Sequence, residues 1–245
     1  MLRTIIVIAF VVIFLILSIP VWGVLAIIGI FNKPLKDEIG FAIVKGAFHI
    51  VWWLAGVKPV VTGLDKVPDD KAVLFVGNHA SYFDVVLGYS LCPHVTGFLS
   101  KKDFAKVPLL SVWMKMLYCI FLTRDDPRTD LKLIMQATEN VKNGISMFVF
   151  PEGTRSKTGE MAEFHSAVLK ISTKNDAPII PVAFTGTRNI FENQAPAIKR
   201  STVYITYGDP IIPSQLEPED KKKIGPYIQN VVKEMLEADK IKYNL

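Results

Sequence analysis

The 245-residue chain is poor in cysteine and histidine, and both shortages exclude something. Its two cysteines, Cys92 and Cys119, sit in apolar surroundings with no CxxC and no second pair. That rules out a disulfide framework and reads as buried thiols in a reducing compartment. The four histidines, His49, His79, His94 and His165, lack metal-ligand spacing, so no zinc site is expected. No basic stripe with interleaved aromatics appears, and nucleic acid is not an expected partner. The G-x-S-x-G elbow of serine hydrolases is also missing: Gly144-Ile145-Ser146-Met147-Phe148 breaks at its last position. There is no internal repeat and no low-complexity tract. Charge itself is absent from residues 5–31, a run long enough to cross a bilayer of ordinary thickness.

What is present is apolar and mildly basic. Half of the residues are hydrophobic and the mean hydropathy is +0.32, high for a soluble domain and low for a multi-span transporter. A net charge of +5 suits an anionic membrane surface or anionic substrates, and equally suits ordinary solubility. The charge-free run is too long for a cleaved signal and no small-residue cleavage site follows it. Pro20 predicts a kink in its middle. After Asn32, Lys33, Pro34 and Lys36 a second apolar segment covers residues 39–57, with Trp52 and Trp53 near Lys45, a pattern of the headgroup zone. Either the first helix spans, or the two form a hairpin dipping into one leaflet. Lys33, Lys36, Lys45 and Lys58 place the rest of the chain on the cytoplasmic side in both arrangements. Residues 1–57 are therefore read as a membrane-binding helical segment and residues 58–245 as a second domain.

From residue 58 the texture changes to short apolar runs between turn residues. Strands are predicted at 59–62, 72–76, 96–99, 120–123, 146–150, 179–184 and 202–207. Helices are predicted at 83–91, 109–117, 129–142, 167–174 and, amphipathic, 217–242. Strands alternating with helices indicate an α/β domain with a largely parallel sheet.

Two polar clusters follow predicted strands, where α/β domains place their sites. The first is Gly77-Asn78-His79-Ala80-Ser81-Tyr82-Phe83-Asp84. In an ideal helix a spacing of five separates His79 and Asp84 by roughly 140°. They meet if His79 lies in the strand-to-helix turn and Asp84 in the first helical turn, leaning back toward the N-terminus. Ser81 is then the N-cap. A carboxylate on one imidazole nitrogen fixes the tautomer and leaves the other as a base. The second cluster is Phe150-Pro151-Glu152-Gly153-Thr154-Arg155-Ser156. Its glycine permits close backbone approach, Arg155 can hold a phosphate through two parallel hydrogen bonds, and Glu152 can accept from a hydroxyl or an arginine. Each cluster alone is also compatible with a structural or surface role, a polar turn in the second case.

Together, the H-x4-D pair and the Phe150–Arg155 block resemble the first and third signature blocks of the glycerolipid acyltransferases, most nearly the 1-acyl-glycerol-3-phosphate acyltransferases. Ile120-Phe121-Leu122-Thr123-Arg124 is similar to the second block and Ala177-Pro178-Ile179-Ile180-Pro181-Val182 to the fourth. Lys101-Lys102-Asp103 and Pro108-Leu109 resemble the segment between the first two blocks. The resemblance covers residues 58 to about 210.

It implies an α/β catalytic domain with a mixed sheet wrapped by helices, preceded by a membrane-binding helical pair. It also implies acyl transfer from acyl-CoA or acyl-carrier protein to lysophosphatidic acid, giving phosphatidic acid in phospholipid biosynthesis. His79 would be the base and Asp84 its orienting acid. Arg124 and Arg155 would hold the substrate phosphate, Glu152 would place the glycerol, and Gly153, Thr154 and Lys102 would line the acceptor site. Backbone N–H groups near Gly153 would take the oxyanion. No metal or cofactor is implied, because the thioester is already activated. Two departures stand out. Tyr118 replaces the glycine that usually opens the second block, which is expected to alter the floor of the acceptor pocket. His165 follows Phe164 where the family usually has lysine. Residues 112–117 are expected either to line an acyl channel or to form an ordinary core helix. A sister acyltransferase with another lysolipid or glycerol phosphate as acceptor, a membrane lipase or thioesterase, and a non-catalytic lipid-binding module remain the alternatives.

Overall fold

A computed structural model describes residues 1–123 and 126–245. The chain opens with three helices, α1 (Leu2–Leu17), α2 (Ile19–Phe31) and α3 (Lys33–Ala55). The α/β part follows as β1 (Val57–Thr62), β2 (Leu74–Gly77), α4 (Tyr82–Leu91), β3 (Thr96–Lys101), α5 (Leu110–Met116), β4 (Ile120–Leu122), α6 (Pro127–Lys142), β5 (Ser146–Val149), α7 (Lys170–Thr173), β6 (Ile179–Thr185), β7 (Ser201–Tyr207), α8 (Pro218–Lys222) and α9 (Ile224–Tyr243). One sheet takes the strands in the order β1-β7-β6-β2-β5-β3-β4. All neighbours are parallel except β6 and β7.

Every residue of β2, β5 and β6 is buried, as expected of central strands covered on both faces by helices. Side chains alternate between the faces. Phe75, Phe98, Phe148 and Phe184 join Phe41, Val51 and Leu87 in one core, under α3 and α4. Leu74, Val76, Met147, Val149 and Ile179 join Ile134, Ile228 and Val232 in the other, under α6 and α9. A Cβ on Gly88 would stand 3.2 Å from the rings of both Phe148 and Phe184, so glycine here lets α4 lie close on the sheet.

The first core does not stop at the sheet. It continues through Val7, Leu25, Phe41 and Val44 into the N-terminal helices. α1 and α2 meet at Ser18 with a bend of 47°, two residues before Pro20, where the sequence places the kink. Three polar contacts fasten the helices along their length. At one end Thr4 Oγ1 donates to the Pro196 carbonyl (3.0 Å) and accepts from the Ile198 N–H (2.9 Å). At the bend the Trp113 indole donates to Ser18 Oγ (2.9 Å). At the turn into α3, Lys33 donates to the Tyr118 hydroxyl, which itself donates to Asp37. Among the described residues, α3 alone is long and apolar enough to cross a membrane; α1 and α2 qualify only as a pair. Their outer faces expose Ile5, Ile8, Ile13, Ile16, Ile27, Ile30 and Phe31.

Each predicted strand is present. The predicted C-terminal helix is divided at Lys223, because Pro226 in the first turn of α9 cannot continue a helix from upstream. The predicted helix at 167–174 is a 3₁₀ turn, Ser166–Leu169, followed by the single-turn α7.

Candidate active site

Four parallel strands, β2, β5, β3 and β4, end on the same edge of the sheet, so the segments that follow them are neighbours. His79 follows β2, Glu152 and Arg155 follow β5, and Lys102 begins the 3₁₀ turn Lys102–Lys106 after β3. Arg124, after β4, lies outside the described residues.

The turn between β2 and α4 is built as the spacing demands. Ser81 is the N-cap of α4 and its Oγ accepts from the Phe83 N–H at 3.1 Å. Asp84, in the first helical turn, points back. Its Oδ2 accepts from the N–H groups of Ala80 and Ser81, each at 2.7 Å, and lies 3.0 Å from His79 Nδ1. Three donors converge on one oxygen of a fully buried carboxylate in the first turn of the helix, which fixes its orientation toward His79. With its proton on Nδ1, His79 presents Nε2 as a lone pair. The imidazole is partly exposed and stacks on Phe150, the centroids 4.2 Å apart and the planes 17° apart. One hydrogen bond and one stacked ring therefore fix the imidazole.

The second cluster holds the first. Glu152 Oε1 accepts from the His79 N–H at 2.6 Å, and Ser156 N–H donates to the His79 carbonyl at 2.8 Å. The His79 peptide is thus gripped on both sides by the segment after β5. Glu152 Oε2 accepts from the Ala162 N–H at 2.9 Å. Burial pushes the Glu152 carboxyl above its ordinary range, opposed by these two N–H groups. From sequence this side chain was expected to place the substrate's glycerol; the structure gives it a backbone task as well. Gly153 takes a φ of +73°, which glycine adopts without strain, and its N–H is occupied by the Phe150 carbonyl (3.0 Å). Thr154 is exposed beside it.

Arg155 Cζ lies over the Tyr82 ring, 3.5 Å from its centroid, and its Nη1 donates to Glu192 Oε1 at 3.3 Å. Glu192 Oε1 also accepts from the Tyr82 N–H at 2.8 Å. Arg188 donates to the carbonyls of Ser156 (2.7 Å) and Lys157 (2.9 Å). Sequence patterns did not reveal Glu192 or Arg188. They belong to no signature block and reach the site only because the chain returns after β6.

Other candidates fall away from the chemistry. Ser146 is buried on β5 and accepts from the Val73 N–H (3.1 Å), so it is no nucleophile. Burial pushes both cysteine thiols up to about 12. Tyr118 keeps a left-handed φ of 59°, the region glycine favours, and its hydroxyl is bound to Lys33 and Asp37. This side chain ties the second block to α3. Trp113 of α5 is buried and stacks with Phe14, the core-helix alternative for residues 112–117.

Comparison with known proteins adds four likenesses. A family model described as Acyltransferase matches residues 58–185. The 1-acyl-sn-glycerol-3-phosphate acyltransferase of Borreliella burgdorferi is 28% identical over 206 residues, covering 83% of this chain and 82% of that one. The probable 1-acyl-sn-glycerol-3-phosphate acyltransferase of Mycoplasma pneumoniae is 28% identical and covers 79% and 76%. In fold, the chain is similar to the 1-acyl-sn-glycerophosphate (LPA) acyltransferase PlsC from Thermotoga maritima. The TM-score is 0.82 at 23% identity, over 98% of this chain and 95% of that one.

Proposed function

The chain belongs to the Acyltransferase family, and on that premise we propose that it acylates the sn-2 hydroxyl of 1-acyl-glycerol-3-phosphate, making phosphatidic acid. The observation that carries the reading is the His79 imidazole, bound through Nδ1 to Asp84 while its peptide is gripped by Glu152 and Ser156. A base so fixed suits removal of one proton from one hydroxyl. The names of the relatives supply the acceptor.

His79 Nε2 takes the proton of the glycerol hydroxyl as its oxygen attacks the thioester carbonyl of acyl-CoA or acyl-carrier protein. Asp84 stabilises the imidazolium that results. Collapse of the tetrahedral intermediate breaks the C–S bond, and the imidazolium returns its proton to the departing thiolate. An ester and a free thiol are formed, and no metal or cofactor takes part. Arg155 and Arg124 bind the acceptor phosphate, with Gly153, Thr154 and Lys102 around it, and Glu152 keeps the base in register. Residues 1–57 act as the membrane anchor and residues 58–245 as the catalytic domain, facing the cytoplasm.

We place the anchor in one leaflet. α1 and α2 together extend about 44 Å at 1.5 Å per residue. Contacts to the α/β part occur at the start, the bend and the end of that length. A helix crossing the bilayer would carry one of those contacts to the far side.

The test is purified full-length protein given labelled acyl-CoA and a panel of acceptors. Lysophosphatidate should be preferred over lysophosphatidylcholine, glycerol phosphate and monoacylglycerol. Equal use of monoacylglycerol would remove the phosphate from the reading.

A further inference from the structure

We propose that Glu192 is a positioning residue for acceptor recognition, acting through Arg155; the inference rests on the reading of Arg155 as a phosphate ligand. Glu192 lies beyond residues 58–185, the part that matches the family model. It stands in the short 3₁₀ turn Glu192–Gln194 on the segment that returns from β6. Its carboxylate is nearly buried, and Arg155 is the cation it pairs with, at 3.3 Å. A buried carboxylate left without a cation is costly, so the pair is bound to persist.

Three features show that the contact orients the guanidinium as well as neutralising Glu192. Arg155 is held on one face by the Tyr82 ring at 3.5 Å and at one edge by Glu192, through Nη1 alone. An arginine offers five N–H donors in a rigid fork, so the other edges remain for an incoming oxyanion. The same Glu192 oxygen accepts from the Tyr82 N–H, so one atom joins the backbone that carries the ring to the cation that lies on it. On the same returning segment, Arg188 fixes the carbonyls of Ser156 and Lys157, the two residues after Arg155. The segment thus clamps the arginine by its side chain and by its backbone. An arginine held in place forfeits less conformational freedom when it meets phosphate than one that wanders.

Glu192→Gln separates this role from a structural one. Glutamine keeps a carbonyl oxygen for the Tyr82 N–H and removes the charge that steers Arg155. With acyl-CoA and 1-acyl-glycerol-3-phosphate, the full-length Glu192→Gln protein should show an acceptor KM raised about tenfold, equivalent to about 1.4 kcal/mol. Its thioester KM and kcat should stay within about twofold. In an Arg155→Ala background the same change should add nothing, since the group it steers is gone. Tyr82→Leu, at an exposed position, should raise the acceptor KM in the same selective way, and gives a second reading if Glu192→Gln does not fold. Full multiplication of the Glu192→Gln and Arg155→Ala effects would overturn the proposal. So would a fall in kcat with both KM values moved alike, or a lowered acceptor KM. If Arg155→Ala raises the acceptor KM while Glu192→Gln and Tyr82→Leu do not, the positioning role fails and the phosphate reading stands. If Arg155→Ala leaves it unchanged, both fall.

Discussion

The sheet and the N-terminal hairpin solve opposite packing problems within one molecule. Phe75 and Phe148 on the central strands are sealed from solvent, and the buried Ser146 hydroxyl on the same sheet accepts from the Val73 N–H. On α1 and α2 the relation is reversed. Ile13 is 55% exposed and Ile30 77%, while Thr4 and Ser18 face inward and bond to the α/β part. Apolar atoms outside and polar atoms inside make sense only where the surroundings are themselves apolar. One hydrophobic core nevertheless joins both regions, from Val7 to Phe148. The difference therefore lies in the solvent each outer face meets, and the two regions are not separately packed bodies.

Separating chemistry from attachment breaks the comparison most sharply. His79→Ala should lower turnover by about 10² to 10⁴, the usual contribution of a positioned general base, while sedimentation with membranes is retained. Near-normal turnover would sink the mechanism. The reverse experiment spares the site. Ile13→Asp puts a charge on the outer face of α1, where a carboxylate in the apolar layer costs roughly 2.5–3.5 kcal/mol. Partition to vesicles should weaken by about 100-fold with little change in the thermal transition of detergent-solubilised protein. A transition lowered as much as in a core truncation would mean that Ile13 packs inside the protein. The smallest effect belongs to the joint between strand and helix. Ser81→Ala removes the cap of α4 and should cost about 1 kcal/mol in unfolding free energy while acyl transfer persists. With thioester alone, neither this variant nor the parent should gain the mass of an acyl group. An acylated protein would replace direct transfer with a covalent route.

The strands were readable because short β-branched and aromatic runs lie between turn residues, a local pattern that buried strands need. The His79–Asp84 pair was readable for the same reason: a cap and a side chain leaning back are settled within six residues. The antiparallel β7 was not. Strand direction depends on the path of residues 186–200, which turn back through short 3₁₀ turns where a crossover helix would have kept the sheet parallel. Glu192 was hidden by the same returning segment. Its partners Tyr82 and Arg155 are 110 and 37 residues away in sequence, and a single glutamate in a loop carries no periodicity. Glu152 was found by its motif, but its bond to the His79 peptide required coordinates.

The bond from Trp113 to Ser18 has a kinetic corollary. On the one-leaflet placement proposed above, α5 ties the hairpin at its bend, so the height of His79 above the lipid plane would follow from the protein's own packing. Such an enzyme would skim. It would meet its acceptor by lateral diffusion in a surface layer, and its relevant concentration would be a two-dimensional density. At fixed enzyme and fixed total acceptor, adding inert phospholipid should slow the reaction in proportion to the falling mole fraction of acceptor. A rate that follows bulk acceptor concentration regardless of dilution in the bilayer would show that the substrate arrives from the water.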